Sequence, residues 1–183
     1  MSGSRPVAIT CRVAHTADVP PAVLREVRAL LTHAFNREFD DADWDHTLGG
    51  MHVIARHGSD VVGHASVVQR RLVVDGRPLR TGYVEGVGVH RDWQRRGIGD
   101  EMMTVLERIV RSAYDLGALA ATEQGAHLYT RHGWRLWRGS LSVMTPTGTV
   151  STPEEAGWVH VLTDEPVDLD AELVCDWRDG DVW

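Results

Sequence analysis

The stretch VEGVGVHRDWQRRGIGDEM, residues 84–102, decides the fold of this 183-residue chain. Its valines predict a strand that ends at Val89, and the apolar spacing that begins at Ile98 predicts a helix. Glycines at a strand-to-helix turn let backbone N–H groups approach an anion, and adjacent arginines add full charges for phosphate oxygens. We therefore predict a phosphate-binding loop, with Gln94, Arg95, Arg96, Gly97 and Gly99 as its residues.

The spacing of glycines and the type of basic residue distinguish between the known phosphate-binding motifs. The P-loop pattern GxxxxGK[ST] needs a lysine, and all 19 basic residues of this chain are arginine. The dinucleotide fingerprint GxGxxG is absent from the first strand-to-helix turn. The segment QRRGIG instead fits [RQ]xxGxG, the pattern of the loop that binds the pyrophosphate of acyl-coenzyme A.

The arrangement around QRRGIG resembles the Gcn5-related N-acetyltransferase (GNAT) superfamily from Gly82 to Trp137. After the loop come a long amphipathic helix, a short strand, and a helix with a tyrosine before HGW. The resemblance implies an α/β GNAT fold, with helices on both faces of a mixed central sheet and a strand splayed at the acyl-coenzyme A site. It also implies acetyl-coenzyme A as co-substrate, held by Val87, Val89, Gln94, Arg95, Arg96, Gly97 and Gly99.

Two glycines in VEGVGV predict the splay. Gly86 and Gly88 interrupt the alternation of the strand, as expected for a β-bulge. A strand bent away from its neighbour leaves backbone donors and acceptors that an extended pantetheine arm can pair with. Because the superfamily places the thioester at this position, the resemblance implies that a backbone N–H near Val87 polarises its carbonyl.

Periodicity predicts one α/β domain over residues 1–183, without repeats or a linker. Helices are predicted over residues 20–35, 97–117 and 123–133, with Gly117 and Gly133 as stop signals. Strands are predicted over residues 51–58, 60–76, 79–90, 118–122, 134–144, 158–163 and 171–177, with a further strand running into a turn over residues 8–19. Residues 145–157 are predicted as a loop.

Composition argues against several classes of function. A net charge of −7 suits a cationic ligand and not nucleic acid, whose phosphates require a basic surface. Cys11 and Cys175 are too few for a disulfide framework or a zinc site, HExxH is absent, and the ten histidines are expected on surfaces or strand ends, so we expect no metal. The chain opens without a signal-peptide pattern and has no apolar stretch near the ~20 residues of a membrane span. We expect a cytoplasmic protein without a membrane partner.

Three further segments resemble the aminoglycoside 2′-N-acetyltransferases of mycobacteria and related actinobacteria: FDDADWDHTLGGMH (39–52), LRTGYVEGVGV (79–89) and AELVCDWRDGDVW (171–183). The resemblance implies acetyl transfer to the 2′-amine of an aminoglycoside, a homodimer, and an acceptor site that includes the tail, residues 175–183. Carboxylates suit the ammonium groups of a polyamino sugar, and an aromatic ring suits its faces. The implied acceptor residues are Glu38, Asp43, Glu85, Glu155, Asp181 and Trp183 with its carboxylate. Alternatively, Trp177 and Trp183 only cap the edge of a core.

Glu85 and Tyr129 are the candidates for proton transfer. A protonated amine cannot attack a thioester, so a base must take its proton directly or through water, and Glu85 precedes the bulge. Glu85 could instead only pair with a substrate ammonium. Tyr129 matches the acid tyrosine of the superfamily; the alternative is a packed helix aromatic. Two other functions stay open: acetylation of another amine, such as a polyamine, a protein N-terminus or a cell-envelope precursor, and non-catalytic sensing of acyl-coenzyme A.

Overall fold

The computed structural model describes residues 8–36 and 38–183, and within them ten strands form one sheet. Residues 1–7 and 37 of the predicted single domain lie outside this description. The strands are β1 (Ile9–His15), β2 (Met51–His57), β3 (Asp60–Val74), β4 (Arg77–Val89), β5 (Leu116–Ala120), β6 (Arg135–Leu136), β7 (Leu141–Thr145), β8 (Gly148–Ser151), β9 (Val159–Leu162) and β10 (Leu173–Asp176). The helices are α1 (Pro21–Ala34), α2 (Asp41–His46), α3 (Ile98–Ala113) and α4 (Ala126–Arg131). In this part of the chain no helix combines the length and apolarity that crossing a membrane requires.

Strand β3 is the centre of the sheet. It pairs antiparallel with β4 along one edge, and with β2 and then β10 along the other. The order continues through β5, β9 and β6 beyond β4, and through β7 and β8 beyond β10, while β1 pairs with β2. Because β4–β5 and β10–β7 are parallel and their neighbours antiparallel, the expected mixed sheet is confirmed.

Strand β2 shows why helices cover both faces of the sheet. Successive side chains of a strand point to opposite faces. Val53 and Ala55 accordingly join the core that contains Met102 of α3, whereas Ile54 packs in the cluster that contains Leu31 of α1. The two amphipathic helices therefore bury the two faces of the same strands, as expected.

Strand β4 contains the predicted bulge. His64 of β3 lies opposite Gly88 and Ser66 lies opposite Glu85, so two residues of β4 oppose one residue of β3. Gly86, inside the bulge, has a φ of 54°, in the left-handed region that favours glycine.

The same strand separates from β5 beyond the bulge. Pairing between β4 and β5 runs from Thr81 to Tyr83, opposite residues 116–118. From Leu119 onward, β5 pairs within the described part of the chain with β9 alone. The splayed strand is confirmed, and the gap between β4 and β5 opens at Val84.

Several predicted element bounds were wrong. Helix α3 ends at Ala113, and Gly117 lies inside β5, where a Cβ would come 2.8 Å from Val110 Cγ1. The predicted strand over residues 134–144 is divided into β6 and β7, because the chain turns inward to bury Trp137, whose indole N–H donates to the Ala171 carbonyl at 3.0 Å. The predicted loop over residues 145–157 contains β8, whose residues are all exposed and carry no hydrophobic alternation. The predicted helix over residues 123–133 is confined to α4.

Candidate active site

A cavity of about 690 Å³ lies where β4 and β5 diverge. The end of α1, the bulged half of β4, the segment from β5 to α4, and the tail contribute its walls. All the predicted acceptor residues line it: Glu38, Asp43, Glu85, Glu155, Asp181 and Trp183. The other predicted residues that line it are Val87, Val89, Gly99 and Tyr129. The structure thus brings the predicted acceptor residues together with the bulge and the tyrosine.

Every charged residue in the described lining of this cavity is a carboxylate. Glu123 joins the predicted acidic residues, and no arginine is among the lining residues that the structure describes. Burial, and then the nearby Asp181 carboxylate, raise the pKa of Glu155. Such mutual repulsion is relieved by a cation, so the cavity suits a ligand with several ammonium groups. Sequence reasoning missed Glu123 because it predicted residues 123–133 as one helix, whereas Glu123 lies in the turn before α4.

Aromatic rings form part of the same wall. Phe35 and Phe39 stack with their centroids 5.6 Å apart, and the Trp158 side chain is left 42% exposed. Exposed aromatic surface suits the apolar faces of sugar rings. Sequence reasoning did not assign these three residues to the site, because periodicity alone cannot separate a cavity wall from a core.

The tail folds back onto the cavity through Arg178. Its Nε donates to the Asp181 carbonyl at 2.8 Å, and its Nη2 donates at 2.9 Å to a main-chain oxygen of Trp183, which belongs to the predicted Trp183 carboxylate. The Trp183 indole N–H donates to the Thr152 hydroxyl at 2.8 Å, and Trp183 is buried. Trp183 therefore lines the cavity and also completes a core, whereas Trp177 is half exposed and lines no part of the cavity.

A second arginine fixes the start of the tail. Arg70 Nε donates to the Asp176 carboxylate at 2.8 Å, and its Nη2 donates to the Asp176 carbonyl at 2.8 Å. The Arg70 guanidinium lies 4.6 Å from the centroid of the Tyr83 ring, and that of Arg178 lies 5.4 Å from it. The two cations hold the tail against the strand that carries Glu85.

Arg178 also forms an ion pair with Glu85. Its Nη1 donates to the Glu85 carboxylate, and both side chains are only 14% exposed. Burial raises the pKa of Glu85, while the positive charges of Arg178 and Arg70 oppose that shift. Sequence reasoning missed this partner, which lies 93 residues away in a segment dominated by acidic residues.

Tyr129 lies buried on α4, with its ring edge-on to Trp134 at a centroid distance of 6.3 Å. Burial, and then the charge of Glu85, raise the pKa of its hydroxyl. The hydroxyl therefore keeps its proton at neutral pH, as a proton donor requires.

The predicted phosphate loop lies at the start of α3. Gly97 caps the helix with a φ of 80°, and Gly99 reaches the cavity, whereas Gln94, Arg95, Arg96 and Gly97 lie outside its lining. Gln94 Nε2 donates to the Val89 carbonyl at 3.2 Å, and the Arg96 guanidinium lies 4.7 Å from the Trp93 ring centroid. The first N–H groups of α3 have no partner within the helix and can face an anion there.

Three histidines depart from the predicted placement on surfaces or strand ends, and one of them is His160, which is buried in β9. His52 and His64 are both fully buried inside the sheet. Across residues 8–36 and 38–183, no group of three His, Cys, Asp or Glu side chains could hold a metal ion.

Known proteins match this chain over most of its length. A family model described as an acetyltransferase (GNAT) domain matches residues 18–137. An aminoglycoside 2′-N-acetyltransferase from Mycolicibacterium fortuitum is 42% identical over 179 residues, which is 95% of this chain and 92% of that protein.

Solved structures share the fold at low sequence identity. A GNAT family acetyltransferase from Brucella melitensis, solved in complex with acetyl-CoA, matches 91% of this chain and 95% of its own, with a TM-score of 0.59 and 14% identity. Eis1 from Mycobacterium abscessus matches 74% of this chain with a TM-score of 0.59 and 21% identity. This chain covers only 33% of Eis1. These likenesses establish the fold alone.

Proposed function

Because the chain belongs to the aminoglycoside 2′-N-acetyltransferase family of GNAT acetyltransferases, we propose that it transfers an acetyl group from acetyl-coenzyme A to the 2′-amine of an aminoglycoside. The observation that carries the acceptor class is the carboxylate-lined cavity directly beside the splayed strand. A donor bound along that strand places its acetyl group against this cavity.

The donor site is proposed to follow β4 into α3. Beyond Tyr83 the backbone of β4 has left β5, so an extended pantetheine arm can pair with it like an added strand. The pyrophosphate is proposed to lie at the start of α3, where Arg95 and Arg96 supply charge and the helix supplies N–H groups. The fold shared with the Brucella melitensis protein, which was solved with acetyl-CoA, supports this placement.

The acceptor is proposed to bind through its ammonium groups. Glu38, Asp43, Glu155 and Asp181 surround the cavity, and Asp43 is fixed by accepting the Asp40 N–H at 2.9 Å in a capping box at the start of α2. A carboxylate held by its own helix loses little rotamer entropy when it binds a charged ligand.

The chemistry is proposed to proceed by direct attack in a ternary complex. The 2′-amine loses a proton to Glu85, directly or through a water, and forms a C–N bond to the thioester carbon. The tetrahedral oxyanion is stabilised by the Val87 N–H. Its collapse breaks the C–S bond, and the departing thiolate takes the hydroxyl proton of Tyr129. The nitrogen gives up its second proton as the amide forms, and this proton restores the Tyr129 hydroxyl. Burial raises the pKa of Glu85, which makes its carboxylate a stronger base toward the amine proton.

The remaining expectations about partners are also proposals. Acetyl-coenzyme A is a cytoplasmic metabolite, so we place the reaction in the cytoplasm. The family resemblance is the basis for a homodimer, and the net charge of −7 argues against nucleic acid as a partner.

A second candidate is acetylation of a different polycationic amine, because an acidic cavity attracts any of them. Kanamycin B and kanamycin A provide the test, since they differ only in an amine or a hydroxyl at the 2′ position. We expect release of the coenzyme A thiol with kanamycin B and none with kanamycin A or spermidine. Turnover with spermidine alone would favour the second candidate, and binding of acetyl-coenzyme A without turnover on any amine would favour a sensor.

A further inference from the structure

We propose that His64 is a positioning residue, which aims the Val87 N–H at the thioester carbonyl by holding the Gly86–Val87 peptide. The proposal rests on the proposed function, because that function supplies the thioester. It assigns a task to a buried pair of histidines that the acceptor and donor sites leave unused.

A chain of hydrogen bonds crosses the sheet to the bulge. The Thr16 hydroxyl lies 2.8 Å from His52 Nε2, and His52 Nδ1 lies 2.9 Å from His64 Nε2. His64 Nδ1 lies 2.8 Å from the carbonyl oxygen of Gly86. Both imidazoles are fully buried, on the face of the sheet that α1 covers.

The carbonyl at the end of this series of hydrogen bonds fixes the tautomers of both histidines. A peptide carbonyl can only accept, so His64 Nδ1 must donate to Gly86. A neutral imidazole has one N–H, so His64 Nε2 accepts from His52 Nδ1, and His52 Nε2 accepts from Thr16. Burial lowers the pKa of His52 to about 4 and that of His64 to about 3, so both rings are neutral at physiological pH. The Gly86 carbonyl therefore has a permanent donor.

The bond to Gly86 also orients Val87. The described residues contain no cis peptide bond, so the C=O and N–H of the Gly86–Val87 peptide point in opposite directions. The C=O points to His64 on β3, and the N–H must point away from β3, into the gap that β5 leaves. Val87 lines the cavity at this place.

The bulge depends on the hydrogen bond from His64 because regular strand pairing is interrupted on both of its sides. Register with β3 shifts there, and β5 has already diverged. Gly86 also has left-handed φ, so the peptide is not held by regular strand geometry. Donation to the C=O of a peptide polarises it and strengthens its N–H as a donor, so His64 improves both the aim and the strength of the Val87 N–H.

Substitutions at His64 can separate the loss of the hydrogen-bond donor to Gly86 from a change in side-chain volume. In His64→Asn the amide nitrogen takes the place of Nδ1 and keeps a donor for Gly86. In His64→Gln the amide nitrogen takes the place of Nε2, and in His64→Leu there is no donor. His160→Leu is the matched control, because His160 is also buried in a strand and donates to the Trp158 carbonyl at 2.9 Å, away from the bulge.

The readout is the infrared carbonyl stretch of acetyl-coenzyme A, labelled with ¹³C at the carbonyl and bound without an acceptor. In the wild type, in His64→Asn and in the control, we expect hydrogen bonding to lower the frequency of the carbonyl stretch. In His64→Gln and His64→Leu the frequency should return toward its value in solution. Turnover should fall about 10–100-fold in the last two, with the dissociation constant of coenzyme A unchanged. A merely structural role would change thermal stability without moving the stretch.

Two results would overturn the proposal, and they are distinguishable. A wild-type stretch in His64→Gln would reject the positioning role and leave the proposed function intact; this variant also serves if His64→Leu does not fold. Failure of the wild type to bind acetyl-coenzyme A would reject the proposed function and the inference together.

Discussion

Replacing Arg178 with glutamine should lower both the stability and the activity of the protein, because both depend on its ion pair with Glu85. Arg178 donates to Glu85, Asp181 and Trp183, and it forms a buried ion pair with the first of them. Removing one member of a buried pair costs about 3–5 kcal/mol, because the other charge is left without a partner. At 14% exposure we expect about 3 kcal/mol, which corresponds to a melting temperature about 6–12 °C lower for a chain of this size.

The pH dependence should change as well. Arg178 opposes the rise in the pKa of Glu85 that burial causes, so Arg178→Gln raises that pKa further. A higher pKa means that Glu85 becomes protonated at higher pH, so the acidic limb of the kcat/KM profile for the acceptor should move upward. At neutral pH we expect at least a tenfold loss of kcat/KM, since about 1.4 kcal/mol is already tenfold.

The assay combines coenzyme A thiol release over a pH series with thermal unfolding. In the double variant Arg178→Gln with Glu85→Gln, the buried Glu85 carboxylate is removed together with its partner, so its stability should exceed that of Arg178→Gln alone. Arg138→Gln is the control, because Arg138 pairs with Asp170 on the surface. A wild-type acidic limb and melting temperature in Arg178→Gln would refute the assigned role of the ion pair.

Three further variants test the donor loop, the acid and the acceptor wall. Arg95→Ala combined with Arg96→Ala should raise the KM for acetyl-coenzyme A at least tenfold and leave that of the aminoglycoside nearly unchanged; equal effects on both substrates in steady-state kinetics would reject the loop. Tyr129→Phe should lower kcat while calorimetry finds both substrates bound as in the wild type, and weakened binding would indicate a packing role instead. Asp181→Asn combined with Glu155→Gln should raise the acceptor KM at least tenfold at low salt and reduce its salt dependence, whereas an unchanged salt dependence would contradict the electrostatic wall.

The local features of the fold could be predicted from the sequence because short-range chemistry determines them. Glycine spacing in VEGVGV predicted the bulge, and Gly86 there adopts the left-handed conformation that a bulge favours. QRRGIG lies at the turn from β4 into α3, as predicted. A strand is recognised in a sequence mainly by its alternation of hydrophobic and polar residues. Strand β8 was missed because all four of its residues are exposed and show no such alternation.

Long-range partnerships could not be predicted in the same way. The pair of Glu85 with Arg178 joins residues 93 positions apart, and nothing near either residue indicates the other. The contact of His52 with His64 depends on the register of β2 with β3, which a count of histidines does not reveal. The acceptor residues were assigned from a family resemblance, and the structure adds that they line one cavity.

The position of the acetyl group on the product tests the central claim most directly. Tobramycin carries a 2′-amine among several others, and tandem mass spectrometry with two-dimensional NMR can locate the acetylated nitrogen after incubation with acetyl-coenzyme A. We expect a single acetyl group, on the 2′-nitrogen. An acetyl group on any other nitrogen, or unmodified tobramycin in the presence of bound acetyl-coenzyme A, would contradict it.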